Sequence, residues 1–145
     1  MTTWQRSVWF SEFDLASTAC SAFTHAGAVG GADLLAWVLM PDHVHWLIRV
    51  EDEPLARVVG RMKAAVSRAL HDAELAEGKI WSRAFHDRAI RREEDLQTAA
   101  RYIVANPLRA DLCTSLAVYP FWDAIWLEPD QRLARNACAS TGQAK

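Results

Sequence analysis

The chain has 145 residues, 51% of them apolar and 23% charged, with seven tryptophans and a net charge of -2 at pH 7. That is enough chain to bury a core without disulfides or a structural metal, and no apolar run approaches the roughly eighteen residues of a membrane span. Three widely spaced cysteines, Cys20, Cys113 and Cys138, contain no Cys-X-X-Cys pair, so neither a disulfide framework nor a zinc knuckle is indicated and a reducing cytoplasm fits best.

Met1 to Arg6 is short and β-compatible, without the basic and then apolar build of a secretory signal. From Phe10 to His25 the apolar positions Phe13, Ala16, Ala19, Cys20 and Phe23 keep a helical spacing, with Asp14 as the expected cap and Gly27, Gly30 and Gly31 closing the helix. Leu34 to Met40 reads as a strand, Pro41-Asp42 as a tight turn, and the return arm opens with His43-Val44-His45. Side chains alternate along a strand. His43, His45, Leu47 and Arg49 therefore share one face, and the wholly apolar set Val44, Trp46, Ile48 and Val50 takes the other. Two imidazoles two residues apart can aim at one ion, or they can be two polar residues on the wetter face of a strand.

Pro54 stands where a helix can start, and Leu55, Val58, Val59, Met62, Val66, Ala69 and Ala73 keep one apolar face. Arg57, Arg61 and Arg68 fall within about 40° of one another on the opposite face, which suits either a solvated surface or a phosphate-binding edge. Gly78 ends the segment, and Ile80 to Ile90 reads as a strand or extended stretch carrying Trp81, Arg83, Phe85, His86 and Arg88. A mixture of aromatic and basic groups suits stacked bases and phosphates, and is equally at home on a sheet edge. Between Arg57 and Arg92 there are nine basic residues against four acidic ones, a local positive excess inside an acidic chain. Glu51 to Glu53 and Glu93 to Asp95 are acidic clusters at expected helix starts.

A further helix is expected from Glu93 to Ala105, with Leu96, Ala99, Ala100 and Ile103 as its buried stripe and Pro107 forcing the end at Asn106. Tyr102 lies roughly 120° off that stripe, with Asn106 four residues on along the same flank. Its hydroxyl can reach a cleft or simply water. Tyr119 to Trp122 and Ile125 to Leu127 read as an aromatic strap on the core, followed by a polar tail from Asn136 to Lys145. Residues 1 to 135 are expected to form one domain.

Three ordered motifs, Ala36-Trp37-Val38-Leu39-Met40-Pro41-Asp42-His43-Val44-His45-Trp46, Trp81-Ser82-Arg83-Ala84-Phe85-His86-Asp87-Arg88-Ala89, and Arg91-Arg92-Glu93-Glu94-Asp95-Leu96 leading to Ala100-Arg101-Tyr102-Ile103-Val104-Ala105-Asn106-Pro107-Leu108-Arg109-Ala110, resemble the REP-associated tyrosine transposases of the His-hydrophobe-His nuclease superfamily. The resemblance runs from roughly Thr2 to Leu127. It implies an α+β, ferredoxin-like sandwich with helices on one face of an antiparallel sheet and the nucleophile on the C-terminal helix. It further implies His43, His45 and Asn106 as ligands of Mg²⁺ or Mn²⁺ and Tyr102 as the nucleophile. The activity implied is cleavage and rejoining of single-stranded DNA beside a REP-like hairpin, through a 5′-phosphotyrosine.

Arg57, Arg61, Arg68, Arg83, His86, Arg88, Arg91 and Arg92 are the basic residues expected at the DNA. A phenol is only about one part in a thousand ionised at neutral pH, so a tyrosine nucleophile needs help of the kind a divalent cation gives. The expected setting is a bacterial cytoplasm at the nucleoid, as a monomer or homodimer with no membrane partner. A non-catalytic hairpin-binding protein descended from such a transposase is the alternative, with a metal-dependent phosphoesterase lacking DNA specificity as a third reading. Relatives carry a fuller first strand than Met1 to Arg6, so either the start is misassigned or the element is lost, and the 145-residue form is expected to expose an edge of the histidine strand that lowers solubility or pairs two copies.

Overall fold

Leu34 to Met40 is an unbroken run of seven apolar residues, the pattern of a strand covered on both faces, and it forms the middle of the sheet. The computed structural model describes residues 1–127, so the tail from Asn136 and Cys138 lie outside the described residues. β1 (Asp33–Met40) turns at Pro41 and Asp42 into β2 (His43–Arg49), with Met40 opposite His43 and Asp33 opposite Arg49. β3 (Trp122–Ala124) pairs antiparallel with the other edge of β1, giving the order β2-β1-β3. The register shifts between Leu34 and Ala36, a bulge that turns Leu35 and Ala36 into the same apolar cluster.

Helices cover both faces of this sheet, which corrects the expectation of one. On the first face α1 (Phe13–Thr24), the single turn α2 (Ala26–Val29) and α3 (Leu55–Asp72) bury Ala16, Ala19, Phe23, Val58, Met62, Val66 and Leu70 against Leu39 and Val44. Phe23 is fully buried there, edge-on to Trp37 at 5.0 Å and tilted against Trp46 at 5.3 Å between ring centroids. On the second face α4 (Glu93–Val104) lays Leu96, Ala99, Ala100 and Ile103 on Leu35, Ala36, Leu47 and Ala124, while Val104 meets Val38, Met40 and Trp122. A strand apolar on both sides requires both covers. Asp14 sits in the first turn of α1 and not at its cap, which is Glu12. The aromatic strap supplies β3, and the Tyr119 hydroxyl donates to the Leu39 carbonyl at 2.6 Å.

The N-terminus and the segment after α3 extend the sheet by single rungs. Met1 exchanges backbone bonds with Val44, Thr2 bridges to His43, and Thr3 bridges in turn to Trp81. Ser82 donates its amide to the Thr2 carbonyl at 3.1 Å, and the fully buried Thr3 gives its hydroxyl to the Ser7 and Asp42 carbonyls. The expected neighbour of the histidine strand is therefore present, but it covers only His43 and Val44. Among the described residues no strand pairs with the edge of β2 beyond them. The strand expected over Ile80 to Ile90 shrinks to its bridge at Trp81, and residues 82–92 form neither helix nor ladder, with a bend at Arg83.

Arg61 is part of this architecture. Its guanidinium donates to the carbonyls of Ala28 at 2.9 Å and Val29 at 2.7 Å, at the end of α2, and grips both carboxylate oxygens of Glu53. Hydrogen bonding to Glu53 raises the Arg61 pKa further and lowers that of Glu53. Gly30, with φ +68°, leaves the room this requires, since a Cβ there would collide with the guanidinium. Arg57 and Arg68 are exposed on the same helix. Arg61→Ala is therefore expected to lower the melting temperature by several degrees, and Arg61→Lys to restore little of it because a single ammonium cannot span three acceptors. Arg57→Ala and Arg68→Ala should leave the thermal transition in place, as followed by circular dichroism.

Candidate active site

The turn between β1 and β2 builds the first half of the site. Asp42 Oδ1 lies 2.6 Å from His43 Nδ1, and Oδ2 accepts from Arg6 at 3.1 Å. Burial alone would raise the Asp42 carboxyl, but the bonds from His43 and Arg6 outweigh it and hold the group below the usual carboxylate range. An ionised carboxylate only accepts, so Nδ1 of His43 carries the proton of that bond and Nε2 is the ring nitrogen that Asp42 does not engage. Gln5 and Arg6 both hold positive φ, 52° and 57°, a conformation that costs a non-glycine residue energy and that folds Arg6 back onto the turn. Sequence reasoning took Asp42 for a turn former only. Its adjacency to His43 was the signal for its second role.

His45 stands one side-chain repeat further along the same face, its ring 5.0 Å from that of His43 and nearly perpendicular to it. Burial, then the charges of His43, the N-terminal amine and Arg109, push its pKa down to about 4. The ring is thus neutral at physiological pH, with a lone pair to offer. Two imidazoles on one strand face, one backed by a carboxylate and the other kept neutral by burial, have the donor chemistry of a divalent-cation site. Among the described residues no group of three or more His, Cys, Asp or Glu side chains gathers.

The second half comes from α4, which crosses the face of the sheet that carries His43 and His45. Tyr102 is on its outer flank, 64% exposed. The helix ends at Val104, and Asn106 with Pro107 starts a separate turn, α5 (Asn106–Arg109). Pro107 is thus tolerated in a first turn, where its missing N–H is not needed. Asn106 Nδ2 donates to the Ile103 carbonyl at 2.7 Å, capping α4, while its Oδ1 accepts from Arg109 at 2.9 Å. The guanidinium of Arg109 lies over the Tyr102 ring, 3.7 Å from its centroid, and also reaches the Tyr102 carbonyl at 3.4 Å. Arg109 was not singled out from the sequence. Seven residues on, an unbroken helix would place it two turns from the tyrosine, and only the break before Asn106 brings it over the ring.

The basic residues divide between the two faces. Arg57, Arg61 and Arg68 belong to α3, across the sheet from the histidines, and Arg61 is committed to Glu53. Arg83, His86, Arg88, Arg91 and Arg92 are all exposed on the irregular stretch that leads into α4. That stretch is anchored at its start, where Lys63 donates to the Ser82 carbonyl at 2.6 Å and Trp81 Nε1 to the Lys63 carbonyl at 3.2 Å. Burial beside this backbone, with Lys79 nearby, lowers the Lys63 pKa. Arg49, on the histidine face, pairs with Glu93 at 2.7 Å and so ties β2 to the first turn of α4.

Among solved structures the chain is similar to a REP-associated tyrosine transposase bound to a REP hairpin, with a TM-score of 0.63 at 20% identity over 83% of this chain and 71% of that one. At that identity the likeness concerns the fold: an α+β arrangement with a three-stranded antiparallel sheet and helices. Among curated proteins none matches. Among the described residues no helix is long and apolar enough to cross a membrane. The model of the IS200-like transposases matches residues 1–106, and the chain belongs to that family, which consists of tyrosine transposases and is generally metal-dependent.

Proposed function

We propose that the protein cleaves and rejoins single-stranded DNA beside a hairpin, using Tyr102 as nucleophile and a Mg²⁺ or Mn²⁺ ion held by His43 and His45 with Asn106 as the third donor. The observation that supports this most is the placement of Tyr102 and Asn106 on the helical layer that crosses the histidine face of the sheet. The scaffold is read as a ferredoxin-like sandwich, and residues 1 to 135 as one catalytic domain.

Each residue has a part that its chemistry suits. Exposure of Tyr102 lets its oxygen meet a phosphodiester that enters from solvent. That oxygen forms the bond to phosphorus while the 3′ oxygen leaves with its electron pair and takes up a proton, and the phenol loses one. The 5′-phosphotyrosine so formed keeps the phosphoester bond available to a second 3′ hydroxyl, which rejoining requires. Asp42 fixes the tautomer and angle of His43, and burial keeps His45 neutral, so both rings are preset as donors. A bound divalent ion would withdraw charge from a non-bridging phosphate oxygen and align the bond for in-line attack. Arg83, His86, Arg88, Arg91 and Arg92 line an open, ladder-free stretch that leads to the tyrosine helix, where they can follow a strand by its phosphates.

One observation favours the alternative of a hairpin-binding protein without cleavage: the Asn106 oxygen needed as third donor is held by Arg109. A labelled hairpin with a single-stranded flank decides between the two, since only the enzyme leaves a 5′ end attached to protein on a denaturing gel. Tyr102→Phe is expected to abolish that adduct, by about a thousandfold or more, while hairpin affinity in gel shift stays within about twofold because one exposed oxygen is lost. An adduct from the Phe variant would mean another nucleophile. His43→Ala and His45→Ala should each lose both cleavage and Mn²⁺ binding measured by calorimetry, with the melting transition retained. Unfolding of both without a change in metal affinity would make them core histidines. Arg83→Glu combined with Arg88→Glu should flatten the salt dependence of hairpin binding, by about 1.4 in the log-log slope for two lost phosphate contacts on a single strand. Arg57→Glu with Arg68→Glu should leave that slope as it is, and the reverse result would move the DNA to the α3 side.

A further inference from the structure

Arg109 touches both candidate residues of the helical layer, Tyr102 and Asn106. Its guanidinium lies over the Tyr102 ring at 3.7 Å, donates to the Asn106 Oδ1 at 2.9 Å and to the Tyr102 carbonyl at 3.4 Å. Its charge is also felt at His45. Two other arginines near this layer have carboxylate partners, Arg49 with Glu93 and Arg92 with Glu94. Arg109 engages instead the amide of Asn106 and the ring of Tyr102. A planar guanidinium can stack on an aromatic face and direct its N–H groups sideways at the same time, which an ammonium cannot do.

We propose that Arg109 is a positioning residue that joins the Tyr102 ring and the Asn106 amide into one unit, so that Asn106 becomes available as a metal donor only when Arg109 lets it go. This rests on the function proposed above. Asn106 has a single side-chain oxygen; its other terminal atom caps α4 at the Ile103 carbonyl. A guanidinium and a cation cannot both sit in front of that oxygen without strong repulsion. Arg109 therefore competes with the third coordination contact and must be displaced by it. Once displaced it no longer stacks on Tyr102, and its cation is free to move to the nearest anion, which in the loaded site is the scissile phosphate. Readiness of the donor and release of the nucleophile's ring are thereby one event.

The test is Mn²⁺ binding to the full DNA-free chain, read from the electron paramagnetic resonance of the free ion, for the wild type, Arg109→Ala, Arg109→Lys, Asn106→Ala and the Arg109→Ala/Asn106→Ala double variant. Arg109 is exposed, so its variants are expected to fold, as a thermal melt will confirm. Arg109→Ala is expected to bind Mn²⁺ roughly fivefold tighter, the factor of one exposed hydrogen bond. Arg109→Lys should also bind tighter, because it keeps the charge but loses the stacked fork. In the Asn106→Ala background the gain should vanish. Equal affinity of Arg109→Ala and wild type overturns the proposal, as does a gain that persists without Asn106 or is absent in the Lys variant, since either would be a simple charge effect. With hairpin and Mn²⁺ both saturating, the adduct should form at least several-fold more slowly in Arg109→Ala at unchanged hairpin affinity. A wild type that gives no adduct defeats the nuclease reading, whereas the binding cycle judges Arg109 independently of it.

Discussion

The alternation of side chains along β2 is the constraint on which the rest of the molecule depends. With a period of two, Val44, Trp46 and Ile48 go to the α1 and α3 core while His43 and His45 go to the opposite side. A slip of one residue in the pairing with β1 would bury both imidazoles beside Phe23 and push Trp46 to the other face. The turn at Pro41 and Asp42 prevents this by setting Met40 opposite His43. It is held from outside as well, since the Asp42 carbonyl accepts from both the amide and the hydroxyl of Thr3. The aspartate that sets the register is the one that orients His43. Register and donor geometry are therefore not separable in this chain.

The covering of the second face follows from the same strand pair. Each face of β1 needs apolar cover, and the bulge at Leu35 increases the demand on the α4 side by sending two consecutive residues there. α4 meets it with small residues, Ala99 and Ala100, which allow the helix to lie close to the sheet. Close approach is what carries Tyr102 and the start of α5 to the histidine face. Arg49 and Glu93 then pin the other end of the helix, although an exposed pair of this kind adds little stability and acts chiefly as a register mark.

What the sequence made legible was whatever repeats with a period. The strand with its two faces, the apolar stripe of α3 and that of α4 are each visible as spacing, and Tyr102 off the stripe of α4 is indeed on its exposed flank. The side of the sheet that α4 occupies was not visible, because a seven-residue apolar run carries no sign of which face is covered by what. Nor were the rungs formed by Thr2, Thr3 and Trp81, since a ladder one residue long has no period. Arg57, Arg61 and Arg68 fall together on a helical wheel, yet Arg61 leaves the group for Glu53 and the end of α2. A wheel records angles on one helix, and the partners of Arg61 come from two other segments.

The junction of α4 and α5 shows how a local rule can mislead about a site. Pro107 was expected to end the helix, and it does end α4 nearby, but the chain re-enters a helical turn at Asn106 with the proline in its first positions. An unbroken helix would have stacked Asn106 one turn below Tyr102 and sent Arg109 two turns away along a nearly matching line. The break at Ala105 instead lets Asn106 fold its amide back to the Ile103 carbonyl and lets Arg109 return over the ring of Tyr102. A candidate nucleophile, a candidate donor and a cation are thus brought together by a defect in the helix that carries them. Substitutions that repaired that helix would therefore be expected to take the group apart while adding to the stability of the fold.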